Sequence, residues 1–232
     1  MGHLRSWGRK YECPCCGGRF RRFKTVASRP FSADCPKCGS RPRHRVLWLY
    51  LNAETPLPEG ALRVLHFAPE IALERPLRDA AGEYVSADLF SPRAEVKADI
   101  TDLPFEDGRF DLVLCSHVLE HVADDAAAMS EMGRVLADGG TVVVQTPVNY
   151  DMATTFEDPS VTDPAERLRL FSQDDHVRVY GRDLVDRLGG AGFEVTVSEY
   201  AYDLPDGSIE RYGLVPRPDP LRNDLYVCRR AA

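Results

Sequence analysis

Short hydrophobic runs alternate with longer amphipathic stretches through residues 61–232. The runs predict strands and the stretches predict helices, because a strand buries its apolar residues over a short length whereas a helix spaces them over several turns. The predicted strands are 62–67, 84–87, 95–98, 110–115, 141–145, 193–200 and 224–229, and the predicted helices are 73–81, 124–136 and 182–190. This alternation predicts an α/β fold with a mostly parallel sheet, in which the last two strands form an antiparallel edge pair.

Two cysteine motifs precede this region. Residues 13–17 and 35–39 both read Cys-Pro-x-Cys-Gly, and 18 residues separate the second cysteine of one motif from the first of the next. A two-residue gap turns the chain so that both sulfurs face one ion, and the glycine allows a tight turn beneath them. Two such knuckles complete a tetrahedral shell without an open position, which indicates a structural Zn²⁺ site. The predicted ligands are Cys13, Cys16, Cys35 and Cys38.

Other readings of the cysteines remain open. A redox Cys-x-x-Cys pair or a set of reduced thiols is the alternative to zinc, although a thioredoxin-like motif follows a strand of a βαβ unit and does not recur. Cys15 lies inside the first knuckle and replaces a neighbouring ligand only by breaking the two-residue spacing. Cys115 and Cys228 lie in apolar runs and are predicted to be core residues.

The segment after the cysteine motifs is first basic and then apolar. Arginines alternate through residues 41–45, and residues 46–51 are predicted to be helical. The arginines either hold phosphates or a carboxylate, or are solvated at the start of the helix. Proline and glycine within residues 55–60 mark a boundary. We therefore expect a small module over residues 1–50 and a domain over residues 61–232.

The net charge of −7 conceals two regions of opposite sign. Residues 1–50 carry 12 basic and two acidic side chains, a net of +10, and residues 51–232 carry 17 basic and 34 acidic ones, a net of −17. A basic arm attracts RNA phosphates or another polyanion, or it docks on its own acidic body. No apolar run approaches the ~18–20 residues that span a bilayer, and the first segment lacks the apolar core of a signal peptide. We therefore expect a cytoplasmic protein with no membrane partner.

Five segments of the larger region resemble a known family. They are residues 63–70, 84–88, 98–105, 108–121 and 134–140. The patterns Leu-Pro-Phe, Val-Leu-Glu-His-Val and Arg-Val-Leu occur among them in the family's order and spacing. On these residues, positions 61–232 resemble a class I S-adenosylmethionine-dependent methyltransferase of the type 11-like group. The resemblance implies an enzyme with a Rossmann-like seven-stranded sheet that uses S-adenosylmethionine. The preceding cysteine module itself resembles a zinc ribbon or a rubredoxin-like knuckle pair.

The resemblance also implies a set of cofactor-binding residues beyond the first strand. Asp88 ends the second strand, where a carboxylate accepts the ribose hydroxyls, as in the dinucleotide-binding fold. Asp99 ends the third strand, where the family's acid meets the adenine amino group. Ser116 and His117 follow the fourth strand and line the methionyl end and the methyl-transfer mouth. The implied residues are Asp88, Leu89, Asp99, Ile100, Ser116 and His117.

The loop after the first strand departs from the family pattern. Most members carry an acid followed by Gly-x-Gly there, because glycines let the backbone approach the cofactor. Here no glycine is present, and Pro69 removes a backbone donor. We still expect this loop to contact the cofactor, since strand ends at the switch point of the sheet form the crevice. Its residues are His66, Phe67, Ala68, Pro69 and Glu70.

An insert over residues 149–181 is the predicted acceptor wall. It contains His176 next to an aspartate, and a carboxylate can orient a histidine as a general base. His176 and His117 are therefore the candidate catalytic residues. The alternative is that His176 is a hydrogen-bonded residue that ties the insert to the sheet, and Arg178 and Tyr180 share this alternative.

The predicted fourth strand is not followed by the Asn-Pro-Pro-Tyr/Phe motif that the resemblance would place there in amino-methylating enzymes of nucleic acid. This favours methylation of the O or N of a small molecule or saccharide. The first alternative is an RNA methyltransferase whose basic zinc module grips phosphates. The second alternative is a non-catalytic scaffold that retains the fold.

Overall fold

A computed structural model describes residues 7–26, 29–215 and 221–230 of the 232-residue chain. Its strands are β1 Trp7–Cys13, β2 Gly18–Phe20, β3 Lys24–Val26, β4 Arg29–Asp34, β5 Arg63–Phe67, β6 Glu83–Asp88, β7 Val96–Lys97, β8 Phe110–Ser116, β9 Leu136–Gln145, β10 Val148–Asn149, β11 Phe156–Glu157, β12 Arg178–Val179, β13 Phe193–Ser198, β14 Leu221–Arg222 and β15 Leu225–Arg230. Its helices are α1 Pro42–Glu54, α2 Ile71–Ala80, α3 Asp125–Val135, α4 Pro164–Phe171, α5 Leu184–Gly190, α6 Tyr200–Asp203 and α7 Ser208–Tyr212. None of the described helices combines the length and the apolar character needed to cross a bilayer.

The described residues form two compact units. The cysteine unit comprises residues 7–26, 29–62, 70–83 and 199–215. The sheet unit comprises residues 63–69, 84–198 and 221–230. The sequence-based domain boundary between residues 50 and 61 stays a prediction, and the cysteine unit draws on segments from both sides of it.

Two antiparallel hairpins and two tight turns build the start of the cysteine unit. β1 pairs with β2, and β3 pairs with β4. The amide of Gly17 donates to the carbonyl of Cys13 at 2.8 Å, and the amide of Gly39 donates to that of Cys35 at 2.9 Å. Both glycines have a left-handed backbone, with φ of 64° and 72°. The glycine of each motif thus makes the turn that the spacing predicted.

Arg45 of α1 is fully buried within the cysteine unit. Its guanidinium donates to the carbonyls of Ser40, Tyr212 and Gly213 at 2.5, 2.6 and 2.7 Å, and it lies 4.5 Å from the ring centre of Phe23. The expectation of a phosphate-binding or solvated arginine is therefore wrong at this position. The partners that bury it lie up to 168 residues away in the sequence, which a local pattern does not reveal.

The sheet unit contains the predicted seven-stranded α/β sheet, in the order β13-β15-β9-β8-β5-β6-β7. β5 pairs in parallel with β8, which pairs in parallel with β9. β15 pairs antiparallel with both β13 and β9, so the predicted antiparallel pair at the end of the chain is confirmed. The chain runs from β5 outward to β6 and β7 and then returns to β8 on the other side. The carboxyl ends of β5 and β8 thus form the switch point where such sheets bind ligands.

Several boundaries differ from the sequence-based ones. The strand predicted from residue 141 begins at Leu136, and the one predicted over 95–98 is only the short β7. Asp124 caps α3, accepting a hydrogen bond from the amide of Ala127 at 2.9 Å. The two-residue strands β10, β11 and β12 were not predicted, because pairs this short leave no hydrophobic period in the sequence.

Candidate functional site

The carboxyl ends of three neighbouring strands, β5, β6 and β8, form one edge of the sheet. The amide of Ala68 donates to the carbonyl of Ala87 at 3.0 Å, which ties the loop after β5 to the end of β6. Asp88 ends β6 and Ser116 ends β8, so three of the segments implied at the cofactor meet at this edge. Ser116 is buried, whereas Asp88 is half-buried.

Two residues at this edge have a strained backbone. Ala68 has a φ of 45° and His117 a φ of 53°, in the left-handed region that costs a non-glycine residue about 1–2 kcal/mol. Each follows directly on the end of a strand, and the amide of His117 donates to the carbonyl of Gln145 at 2.7 Å. Ala68 therefore adopts a glycine-like turn without being glycine. Backbone strain of this kind concentrates at functional sites.

Substitution of Ala68 tests this strain. Ala68→Gly is expected to stabilise the protein by about 1 kcal/mol, because glycine adopts a positive φ without a steric penalty. The matched control, Ala127→Gly within α3, is expected to destabilise by about 1 kcal/mol, because there glycine only loosens a helix. Chemical denaturation of both variants measures the two changes, and a loss of stability in Ala68→Gly would contradict the strain.

The two carboxylates implied at the cofactor lie at the ends of neighbouring strands. Asp88 Oδ1 accepts from the amides of Phe90 and Ser91 at 2.7 and 2.6 Å. Asp99 Oδ1 accepts from the amide and the hydroxyl of Thr101 at 2.9 and 2.8 Å. These turns fix both side chains, and the Oδ2 atom of each has no hydrogen-bond partner among the described residues. Each acid therefore presents one oriented oxygen that can accept a hydrogen bond.

The other residues implied at the cofactor differ in exposure. His66 is fully buried in β5, where its Nδ1 lies 2.9 Å from the hydroxyl of Tyr84. Phe67 and Ile100 belong to the hydrophobic core of the sheet unit. Leu89 is 38% exposed. Their cofactor roles stay predictions.

The last two residues of the first loop make different contacts. The carbonyl of Pro69 accepts from the guanidinium of Arg93 at 2.7 Å, within the sheet unit. Glu70 belongs to the cysteine unit, where its Oε1 lies 3.7 Å from His44 Nε2. The role of Glu70 at the amino-acid end of the cofactor therefore stays a prediction.

A buried carboxylate that sequence reasoning did not single out lies next to His117. Glu120 is 2% exposed, its Oε1 lies 3.0 Å from His117 Nδ1, and Thr146 donates to its Oε2 at 2.8 Å. Burial opposes ionisation, but the contacts with His117 and Thr146 hold the pKa of Glu120 below its usual value. The signal in the sequence was an acid between two histidines on a single turn directly after a strand.

His176 packs against the same turn from the predicted acceptor insert. It is 4% exposed, and its Nδ1–H donates to the carbonyl of Phe171 at 3.1 Å, while its Nε2 has no described partner. Burial lowers the pKa of His176. Its ring lies edge-on to that of His121, with centres 4.7 Å apart, and the next amide, of Val177, donates to the carbonyl of Glu120 at 2.9 Å. His176 thus ties the insert to the turn after β8 and joins the cluster around Glu120.

Arg178 and Tyr180 belong to a buried ion-pair network. Arg178, 3% exposed, donates to Glu157 at 2.8 Å and to backbone carbonyls of the turn after β8. Tyr180 donates to Asp125 Oδ2 at 2.8 Å, and Arg187 donates to both oxygens of Asp125 at 3.0 and 2.6 Å. These bonds join the insert to α3 and α5 and give both residues a structural role.

The four predicted zinc ligands cluster in the cysteine unit. The sulfurs of Cys13 and Cys38 are 3.6 Å apart and those of Cys16 and Cys35 are 3.7 Å apart. Sulfurs around a tetrahedral zinc ion lie about 3.8 Å apart, because each Zn–S bond is about 2.3 Å long, whereas a disulfide requires about 2.05 Å. Cys15 does not join the cluster, and its thiol donates to a backbone carbonyl. Cys115 and Cys228 are buried core residues, as predicted.

Known proteins share both sequence and fold with this chain. Residues 74–144 match a family model described as a methyltransferase domain. Ajmaline N-methyltransferase from Rauvolfia serpentina is 42% identical over 55 residues, which is 24% of this chain and 19% of that protein. Demethylmenaquinone methyltransferase from Mycolicibacterium vanbaalenii is 43% identical over 67 residues, which is 28% of this chain and 29% of that protein. The chain therefore spans less than a third of the length of these curated relatives.

The fold extends the similarity beyond the matched segment. The crystal structure of an S-adenosylmethionine-dependent methyltransferase from Mesorhizobium loti superposes with a TM-score of 0.51 at 20% identity, over 79% of this chain and 96% of that chain. The match over residues 74–144 and the strand order, with its switch point between β5 and β8, both indicate the same kind of fold. Residues 74–144 therefore match a methyltransferase domain, and the fold around them is similar to that of an S-adenosylmethionine-dependent methyltransferase.

Proposed function

We propose that this chain transfers a methyl group from S-adenosylmethionine to an O or N atom of a small molecule or saccharide. The observation that carries the proposal is the convergence of two oriented acids and two strained residues at one sheet edge. They are Asp88, Asp99, Ala68 and His117. A sheet edge at a switch point is where this architecture binds its ligands.

The residues present at this edge fit the cofactor. S-adenosylmethionine, when bound, supplies an electrophilic methyl group on a sulfonium. Asp88 Oδ2 would accept the ribose hydroxyls, and Asp99 Oδ2 would accept the adenine amino group. Phe90, beside Asp88, is 88% exposed and offers an apolar face to a flat base. The His117 segment would border the methionyl end.

The acceptor is proposed to lie beside the histidines of the insert. His117 and His176 are the two proposed groups for positioning the acceptor and taking its proton, and both lie in the cluster around Glu120. Two of the relatives are named for small molecules, ajmaline and demethylmenaquinone, which supports a small acceptor over a macromolecule.

The RNA alternative has less support. The guanidinium of Arg45 donates hydrogen bonds to backbone carbonyls inside the cysteine unit, so it does not face an RNA phosphate. Lys10 lies 3.3 Å from Glu210, and Arg211 donates to Glu12 at 2.9 Å, so charges of the basic region are paired within the cysteine unit. We therefore propose that this unit has a structural role.

We propose a structural Zn²⁺ ion at the four-cysteine cluster. A buried cation needs an anionic neighbour, and Arg45 lies near these cysteines, whose thiolates oppose the effect of burial on its pKa. Four thiolates around Zn²⁺ carry a net charge of −2, which would compensate Arg45. None of the seven cysteines forms a disulfide, which is typical of a reducing compartment such as the cytoplasm.

Calorimetric titration with S-adenosylhomocysteine tests the proposed function. The zinc-loaded protein is expected to bind it, and Asp88→Ala is expected to bind at least about 100-fold more weakly, because hydrogen bonds to a charged acceptor contribute about 1.5–3 kcal/mol each. The control Asp138→Ala removes a fully exposed carboxylate and is expected to leave binding unchanged. No binding by the wild-type protein, with a normal melting curve, would favour the scaffold alternative.

A further inference from the structure

We propose that Glu120, His121 and His176 form a binding site for a divalent transition-metal ion, separate from the four-cysteine cluster. One potential ligand atom from each residue lies within 4.8 Å of those of the other two. All three belong to the sheet unit, where the turn after β8 meets the insert.

The hydrogen bonds of the two histidines leave the ligating nitrogens available. His121 Nδ1 lies 3.3 Å from both the carboxylate and the carbonyl of Asp175, and His176 Nδ1 lies 3.1 Å from the carbonyl of Phe171. Because these oxygens only accept, each Nδ1 carries the proton and each Nε2 carries a lone pair. Metal-ligating histidines almost always donate their other N–H to a carboxylate or a backbone carbonyl in this way.

The carboxylate of Glu120 is also oriented by neighbours. Thr146 holds its Oε2, and His117 lies against its Oε1. A buried carboxylate is stabilised by a nearby cation, which a metal ion at this position would supply. The triad therefore offers two imidazole nitrogens and one anionic oxygen.

The Nε2 atom of His176 is the independent sign of a missing partner. This atom is buried, and no hydrogen-bond donor lies near it among the described residues. A buried acceptor without a partner costs about 1–3 kcal/mol. A metal ion bound to this nitrogen would supply the missing partner.

Only a small movement would close the triad on an ion. Ligands bound at about 2.1 Å lie roughly 3–3.5 Å from one another, so the widest separation would shorten by about 1.5 Å. The His121 side chain is one-third exposed, so its ring has room to rotate toward an ion. Three protein ligands leave further coordination positions open.

The ligand set selects the class of ion. Two imidazoles and one carboxylate suit Mn²⁺, Fe²⁺, Co²⁺ or Zn²⁺, whereas Mg²⁺ and Ca²⁺ prefer sites composed only of oxygen. With the ion bound, His176 is a ligand, and of the two proposed catalytic histidines His117 is then the one that takes the proton of the acceptor.

The open coordination positions of the ion indicate which class of methyl acceptor it would hold. This step rests on the proposed function. Hydroxyl oxygens bind such ions, so an acceptor with neighbouring hydroxyl groups, such as a diol or a saccharide, would be held beside Ser116 and His117. Binding of the ion itself does not depend on this step.

Titration of the zinc-loaded full chain with Mn²⁺, followed by the electron paramagnetic resonance signal of free Mn²⁺, tests the site. Mn²⁺ avoids thiolate ligands, so the cysteine cluster does not interfere. We expect about one Mn²⁺ bound per chain, with binding lost in His121→Ala. Asp175→Ala is expected to weaken binding up to about 10-fold, because it removes the carboxylate, one of the two acceptors that orient His121. The matched control is Asp174→Ala, which removes the adjacent exposed carboxylate and is expected to bind Mn²⁺ like the wild type.

Parallel titration with S-adenosylhomocysteine separates this inference from the proposed function. Cofactor binding without Mn²⁺ binding would overturn the metal site and leave the proposed function standing. Mn²⁺ binding without cofactor binding would support the metal site and contradict the proposed function. Equal Mn²⁺ affinity in His121→Ala, Asp175→Ala and the wild type would also overturn the site.

Discussion

Cys16→Ser is expected to release zinc and unfold the cysteine unit, whereas Cys15→Ser, one residue earlier, is expected to retain both zinc and fold. Zinc binding by four-cysteine sites supplies about 10–16 kcal/mol of folding free energy, and a two-stranded hairpin such as β1–β2 is at best marginally stable alone. Elemental analysis gives the zinc content. Hydrogen exchange of the Gly17 and Gly39 amides, which close the two knuckle turns, reports their folding.

The neighbouring cysteines make a matched pair. Cys15 is buried, as Cys13 and Cys35 are, but its thiol donates to a backbone carbonyl outside the cluster, so serine there changes packing without removing a ligand. Zinc retained in Cys16→Ser, or lost equally in both variants, would contradict the assignment of Cys13, Cys16, Cys35 and Cys38 as the ligands.

The features that sequence predicted best are those encoded locally. The cysteine motifs repeat a ligand spacing and a glycine turn within five residues, and the sulfur cluster of the structure follows from it. The sheet was predictable because each of its long strands leaves a hydrophobic run of its own, namely β5, β6, β8, β9, β13 and β15. Asp88 and Asp99 came from the family resemblance, which places an acid at or just after the end of each of two such runs.

The features that were missed depend on residues far apart in the sequence. Glu120 became a candidate only when the fold placed Thr146 and His176 beside it, 26 and 56 positions away. Arg45 looked like a surface arginine because the carbonyls that bury it come from α7 and the turn after it. A one-dimensional pattern records polarity and period, and it does not record which buried polar groups satisfy each other.

Asp125→Ala is expected to destabilise the sheet unit by about 3–5 kcal/mol. Asp125 is 3% exposed and accepts from Arg187 and Tyr180, and Arg178 lies 3.8 Å away, so its removal leaves buried guanidinium charge uncompensated. The control is Asp124→Ala, which removes the exposed cap of α3 and is expected to cost about 1 kcal/mol. Urea denaturation compares the two, and equal costs would contradict the network.

The effect of Asp125 also has a defined pH dependence. Burial opposes its ionisation, but the bonds from Arg187 and Tyr180 lower the pKa of Asp125 below its ordinary 3.8. A carboxylate with a lowered folded pKa contributes stability that is fully present above the unfolded value and is lost as pH falls through the folded one. The stability difference between the wild type and Asp125→Asn is therefore expected to be constant from about pH 7 to pH 5 and to shrink below about pH 4. Denaturation midpoints across this range measure it, and a difference that persisted unchanged into strong acid would show that the ionised carboxylate is not what holds the two arginines.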